Sequence, residues 1–240
     1  ELINAYGYDI PDGAKSFEAL NYYTNEMITI PLQEDLTARE NSVKYFERYN
    51  KLKRTYEALS KLTVETKEEI DHLESISNAL DIAVSYDDLV QLKEEMIEYG
   101  YIHRKGSKNK KEKITSKPFH YISSDGFHMY VGKNNYQNEE LTFKLATGND
   151  WWFHAKNIPG SHVIVKAENK ELPDTTFEEA ARLAAHYSKA SKQEKVDVDY
   201  IQKKHIKKPA AAKPGFVIYH TNYSMTIDND AHKMGTLVEE

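Results

Sequence analysis

The spacing of apolar residues divides this chain into a helical half and a β-rich half. From Tyr45 to Val84, apolar and small residues recur at alternating steps of four and three: Tyr45, Tyr49, Leu52, Tyr56, Leu59, Thr63, Thr66, Ile70, Leu73, Ser77, Leu80 and Val84. That is a heptad seam, and it predicts a coiled-coil arm over residues 36–102. No Pro or Gly interrupts residues 41–99. The seam weakens at Thr63, Thr66 and Ser77, which permits a bend or a break. Its partner helix is either the same chain folded back near Thr63–Thr66 or a segment upstream of Glu1, and the abrupt start ELINAYGYDI is compatible with the second. A shorter helix follows, with Ser85 and Asp88 as its capping box, Leu89, Leu92 and Met96 as its apolar face, and Gly100 as its stop. Before the arm, residues 1–35 hold short β-like pieces, with Asn21–Ile30 alternating weakly and Pro11-Asp12-Gly13 as a turn signal. These predict a hairpin-like connection.

After residue 117 the period becomes two. Pro118–Ile122 and Phe127–Val131 flank Ser124-Asp125-Gly126, a hairpin turn with Gly where positive φ is required. Leu141–Ala146, Trp151–Ala155, His162–Lys166, Val196–Ile201, Phe216–His220 and Tyr223–Ile227 read as further strands. Between them, Thr176 and Glu179 predict a capped helix with Ala180, Leu183, Ala184 and Tyr187 on its apolar face. The expected class is therefore α+β: a long helical arm followed by a β-rich domain, residues 118–228, with one principal helix. Residues 103–117 are a lysine-rich linker by composition, and residues 229–240 a fraying tail.

Composition adds an asymmetry. The net charge of the 240 residues is −6, but residues 1–100 carry −11 and residues 101–240 carry +5. Two lysine clusters lie in the basic half, Arg104–Lys117 and Lys189–Lys213. Either could be a solvated loop, but two of them flanking one aromatic-rich module favour a polyanionic partner. The chain has no cysteine, which excludes thiol nucleophiles, disulfides and thiolate metal sites.

The densest chemistry lies in Asp150–Val165, DWWFHAKNIPGSHVIV. Strand alternation sends Trp151 and Trp152 to opposite faces, so either both anchor the core or one is free to stack on a base. Trp152, together with His154 or Lys156, is the candidate for that surface. Asn157–His162 reads as a tight loop, either a plain turn or one whose amides and Ser161 hydroxyl hold a phosphate. Ser161 and His162 are adjacent on a strand and point apart, so they make no nucleophile–base pair. His154 and His162 lack metal-ligand spacing, and no cofactor or metal motif is present. Lys133, Asn134 and Asn135 form a polar turn able to read base edges or cap the chain. Lys203, Lys204, His205, Lys207, Lys208 and Lys213 form a basic loop suited to phosphates.

These stretches resemble the NFACT family, known in bacteria as the RqcH or fibronectin-binding protein A group. SSDGFHMYVGKNNYQNEELTFKLA, DWWFHAKNIPGSHVIV, EEAARLAAHYSKAS, KVDVDY and KKPAAAKPGFVIYHTNY are similar to the NFACT-R module. Residues 1–102 resemble the family's coiled-coil region through NYY, YFERYNKLK and HLESI. The resemblance implies a ribosome quality-control factor that binds the large ribosomal subunit, its rRNA and tRNA. It supports template-free C-terminal alanine tailing of stalled chains. It implies no catalysis by the chain itself and a cytoplasmic setting. It also admits fibronectin or fibrinogen binding at the cell surface, and the seam admits self-association. The family's N-terminal and helix-hairpin-helix modules have no counterpart among these motifs, so tailing is not expected of this chain alone.

Overall fold

A computed structural model describes residues 1–104 and 116–238. The lysine-rich linker expected at residues 103–117 lies almost wholly outside them. The chain divides into two units, Glu1–Lys67 and Glu68–Glu240, with the boundary inside one helix.

In the first unit, α1 (Leu2–Tyr6) precedes a hairpin of β1 (Ser16–Asn21) and β2 (Glu26–Pro31). The hairpin turns at Asn21–Asn25, inside the expected β-like piece, where Asn25 adopts φ 59°, and Pro11–Gly13 forms a separate turn, with the Ala14 amide on Pro11 O at 3.2 Å. Thr37 then opens α2 (Ala38–Ile82): its hydroxyl accepts from the Glu40 amide at 3.2 Å, and the Glu40 carboxylate accepts from the Thr37 amide at 2.8 Å. This is a capping box that satisfies the first orphan amides. The helix runs unbroken for 45 residues, so the chain does not fold back at Thr63–Thr66. Threonine costs helix propensity only a few tenths of a kcal/mol, too little to break a long helix. Tyr49, Leu52, Tyr56, Leu59 and Ile70 on the expected seam are all at least half exposed.

The second unit takes the last turns of α2 and α3 (Tyr86–Glu98). On α2 the buried residues are His72, Ile76, Asn78 and Ala79, with Ser75 half-buried, rather than Ile70, Leu73 and Leu80. The Ser85–Asp88 capping box forms as expected. Gly100, at φ 76°, ends α3 in a Schellman motif, with the Tyr101 amide donating to Met96 O at 2.9 Å and the Gly100 amide to Ile97 O at 3.1 Å. Leu89 is exposed, and the buried face of α3 is largely polar: Asp88, Gln91, Glu94 and Glu95 beside Val90 and Leu92.

Seven antiparallel strands follow in the order β8-β7-β5-β6-β4-β3-β9: β3 (Phe119–Ile122), β4 (His128–Val131), β5 (Trp151–Ala155), β6 (Val163–Val165), β7 (Lys195–Gln202), β8 (Tyr223–Asp228) and β9 (Thr236–Leu237). The β3–β4 turn has Gly126 at φ 84°. One face packs Met129, Val131, Phe153, Val163, Val165, Val196 and Val198 against Ala180, Leu183 and Ala184 of α5 (Asp174–His186). The other packs Trp152, Ile164 and Ile201 against Leu141, Ala146 and Ile206, with Phe143, Val217 and Tyr219 alongside. Alternation thus splits Trp151 and Trp152 between the faces.

Three expectations change. Leu141–Ala146 is not a strand. It continues α4 (Asn135–Glu140) as a π-helical turn, Leu141–Leu145, closed by the Ala146 amide on Leu141 O at 2.9 Å. A six-residue alternating run fits strand or helix equally, and the Asn134 cap decides for helix: its side chain accepts from the Gln137 amide at 3.0 Å. Phe216–His220 forms no strand, only a single bridge between Lys207 and Ile218. The expected tail is folded: β9 pairs with β3, and Met234 is buried. No helix among the described residues is long and apolar enough to cross a membrane.

Candidate nucleic-acid interface

The polar turn Lys133–Asn135 is an internal joint. The Lys133 ammonium lies 3.3 Å from Asp88 Oδ1 and 4.6 Å from the centroid of Phe119, with its side chain 12% exposed. Asn134 is buried, and its amide donates to Gln91 Oε1 at 2.8 Å. Asn135 is buried and donates to Glu95 Oε1 and Ser75 Oγ, both at 2.7 Å. These bonds dock α3 and the end of α2 onto α4. Glu95 Oε1 also lies 3.0 Å from His72 Nε2, and His72 Nδ1 lies 2.9 Å from the Tyr101 hydroxyl. Lys213 donates to that hydroxyl at 3.1 Å and stands 5.6 Å from the ring centroids of both Tyr99 and Tyr101. The Tyr101 hydroxyl thus accepts from Lys213 and links it to the His72–Glu95 pair.

The PGSH loop is equally occupied. Asn157, at φ 54°, carries the left-handed conformation, not Gly160. Gly160 is needed for a close approach: a Cβ there would lie 2.9 Å from the Ser188 Cβ. The Ser161 amide donates to Tyr187 O at 3.0 Å and the His162 amide to Asn138 Oδ1 at 2.9 Å. Ser161 is itself buried. The amides expected to cradle a phosphate thus tie the loop to α5 and α4.

Trp152 is 1% exposed and His162 3% exposed. The Trp152 ring stacks on His154 at 5.5 Å and meets His162 edge-on at 5.1 Å. His162 Nδ1 bonds the Thr142 hydroxyl at 2.7 Å. Burial pushes the His162 imidazole well below its usual pKa, and neighbouring His154 acts in the same direction. Burial brings His154 down to about 4. Both rings are neutral near pH 7 and offer no charge to a phosphate. Asp150, which opens the segment, is buried. Burial alone would raise its pKa, but the Lys166 ammonium and the Thr147 and Ala167 amides outweigh that and hold it low.

What remains accessible is lysine. Lys204 and Lys207 are exposed on the loop after β7, Lys203 is half-buried, and none of the three has an acidic partner among the described residues. Lys203 lies 5.9 Å from the Phe143 centroid. Lys208 pairs with Glu139 at 2.7 Å. Lys156, just past the end of β5, donates to Ser224 Oγ at 3.0 Å and lies 3.6 Å from Asp199. The basic loop seats Ile206, Val217 and Tyr219 on the Trp152 face, so its lysines stand on the side of the sheet away from α5. Sequence reasoning overlooked Lys144, on the π-turn of the same layer, with its side chain 76% exposed and its ammonium 3.8 Å from Glu140. The alternation around it had concealed a helix.

The fold defines the class: a long helical arm in continuous chain with a β-rich α+β domain whose lysines gather on the loop after β7. Residues 1–115 match the model of the NFACT N-terminal and middle domains, against the expectation that the family's N-terminal part has no counterpart here, and residues 117–221 match that of the NFACT protein RNA binding domain. The chain is 39% identical over 240 residues to the Rqc2 homolog RqcH of Streptococcus pneumoniae, covering 99% of this chain and 42% of that protein. It is 38% identical over 235 residues to the Rqc2 homolog RqcH of Bacillus subtilis, covering 96% and 41%. A solved structure of the C-terminal of the fibronectin/fibrinogen-binding protein from Streptococcus suis superimposes with TM-score 0.75 at 42% identity, over 84% of this chain and 80% of that one. The chain belongs to the NFACT family, and it spans about two-fifths of the length of the curated relatives it matches.

Proposed function

We propose that the chain supplies the ribosome- and RNA-binding portion of a ribosome quality-control factor acting in the cytoplasm. It binds the large ribosomal subunit through rRNA and tRNA and so supports template-free alanine tailing of stalled chains. Peptide-bond chemistry stays with the ribosome, and this chain acts by binding. The observation that carries the proposal is the loop bearing Lys203, Lys204 and Lys207 without acidic partners among the described residues, in a domain matched to the family's RNA-binding model. Lysines of this kind contact phosphates and position RNA without reading its sequence.

Filter binding of purified large subunits and of tRNA to the 240-residue chain tests it. Three phosphate contacts predict a loss of affinity of about twentyfold to fortyfold on a fourfold rise in salt. Absence of binding at low salt would sink the proposal. A second reading, a surface module for fibronectin or fibrinogen, is favoured by the solved relative described as binding those proteins. Immobilised fibronectin in a parallel assay separates the two, and binding to fibronectin without binding to subunits would favour the second.

A further inference from the structure

The face of the sheet that carries α5 is incompletely covered where the helix begins. There, Trp151 of β5, Tyr200 of β7, Tyr223 of β8 and Phe177 of α5 line an open groove of about 460 Å³, rimmed by Asp174 and Glu178. Trp151 meets Phe177 edge-on at 4.8 Å, and Tyr200 stacks on Tyr223 at 5.5 Å. Trp151 lies 5.9 Å from Tyr200 and 6.3 Å from Tyr223. The rings are not a sealed core: Tyr223 is 59% exposed, and the other three are only partly buried.

We propose that this groove takes the cationic side chain of an arginine- or lysine-bearing peptide from a partner protein. Aromatic faces attract a cation, most strongly for Trp and Tyr, within about 6 Å of a ring centroid. The rim supplies negative charge, only part of it offset by Arg182 at Glu178, and among the described residues no Lys, Arg or His lines the groove. Asp174, in the first turn of α5, has no ion-pair partner among the described residues, and it offsets the partial positive charge of that helix end. Glu178 shares one oxygen with Arg182 at 3.2 Å and keeps the other for a ligand. The same acids repel phosphate, so base stacking by a nucleic acid is disfavoured here. The groove lies on the sheet face opposite the lysine loop. RNA and a basic peptide therefore occupy different surfaces, and this proposal stands apart from the RNA-binding one.

The two tryptophans make the test direct, because Trp151 and Trp152 give the only indole N–H resonances of the chain. The 240-residue protein is titrated with acetyl-Gly-Arg-Gly-Arg-Gly amide, with its citrulline counterpart and with oligouridylate, and both indoles are followed by NMR. The arginine peptide is expected to shift the Trp151 indole, and the citrulline peptide to bind more weakly by about twofold to fivefold. Tyr223→Ala and Asp174→Asn, both at exposed positions, are each expected to weaken arginine-peptide binding to a similar extent. The Lys204→Glu/Lys207→Glu double variant should leave peptide affinity unchanged. Equal binding of both peptides, no response to either, or a Trp151 shift caused by oligouridylate would overturn the proposal. Loss of RNA affinity in the lysine variant is read separately and bears only on the RNA-binding role.

Discussion

Glu179, in the middle of α5, accepts hydrogen bonds from both the backbone amide and the hydroxyl of Ser124, the amide at 2.9 Å. The helix thereby grips the β3–β4 turn across 55 residues of sequence. Thr176 completes the grip, donating to Asp125 Oδ2 at 2.8 Å. Sequence spacing marks this pair as a capping box, but α5 begins earlier, after Pro173, and has no side-chain cap. Thr176 and Glu179 lie one turn apart on the helix face toward the turn, so the same i, i+3 spacing serves a tertiary contact. Glu179→Ala leaves the Ser124 amide without its acceptor in a partly buried position. The expected cost is about 1–3 kcal/mol. Urea unfolding of the variant measures it, and an unchanged midpoint would show that water replaces the carboxylate.

Gly160→Ala tests the loop differently. The new methyl would meet Ser188 Cβ at 2.9 Å, Ser188 Cα at 3.3 Å and Tyr187 O at 3.4 Å. Because the obstruction includes backbone, it cannot be relieved by a rotamer change alone. A loss of about 1–3 kcal/mol is expected. Gly126→Ala, by contrast, meets no atom within 4 Å and is strained only through its φ of 84°, so it should cost about 1 kcal/mol. Similar thermal shifts for the two would remove the close-approach argument.

The fold was legible where burial is apolar and period fixes direction. The β5 alternation separates Trp151 from Trp152, and Gly126 and Gly100 mark their turns by positive φ. Legibility failed where polar contacts do the packing. The Asp88–Lys133, Gln91–Asn134 and Glu95–Asn135 contacts bury a polar helix face, which no hydrophobic pattern reveals. For the same reason Asn134, Asn135, Ser161 and His162 look like exposed ligand-binding residues in sequence and are internal in the fold. Trp152 was the tryptophan expected at the surface, yet Trp151 is the more accessible of the two. Strand alternation separates the faces but does not say which face is covered less completely.

The two histidines give a signed pH dependence. An unfolded histidine titrates near about 6.5, whereas His154 is held at about 4, and His162 is also depressed, by burial. Between these values the unfolded chain binds more protons than the folded one, so stability falls as pH falls from about 6.5 toward 4. From His154 alone the loss between pH 6.5 and 5 is on the order of 2 kcal/mol. His154→Gln should flatten this part of the profile. Melting temperatures across that range check it, and an equally steep profile in the variant would rule out His154 as the source.

The lysines separate binding from folding. Lys204→Glu with Lys207→Glu replaces two exposed charges that have no acidic partners among the described residues, so the melting temperature should stay within about 2 °C, as for most surface substitutions. RNA affinity should drop, and the slope of log affinity against log salt should become shallower by roughly 1.4 for single-stranded RNA. Lys133→Gln is expected to do the reverse. Its ammonium is held between Asp88 and Phe119, and removing it leaves a buried carboxylate short of its countercharge. Stability should fall by about 1–3 kcal/mol, with the salt slope intact. Measuring both variants in the same filter-binding and melting assays decides the matter. An unchanged slope on charge reversal at Lys204 and Lys207 would take this loop out of the interface. A shallower slope for Lys133→Gln would mean that the joint opens on RNA to free that lysine.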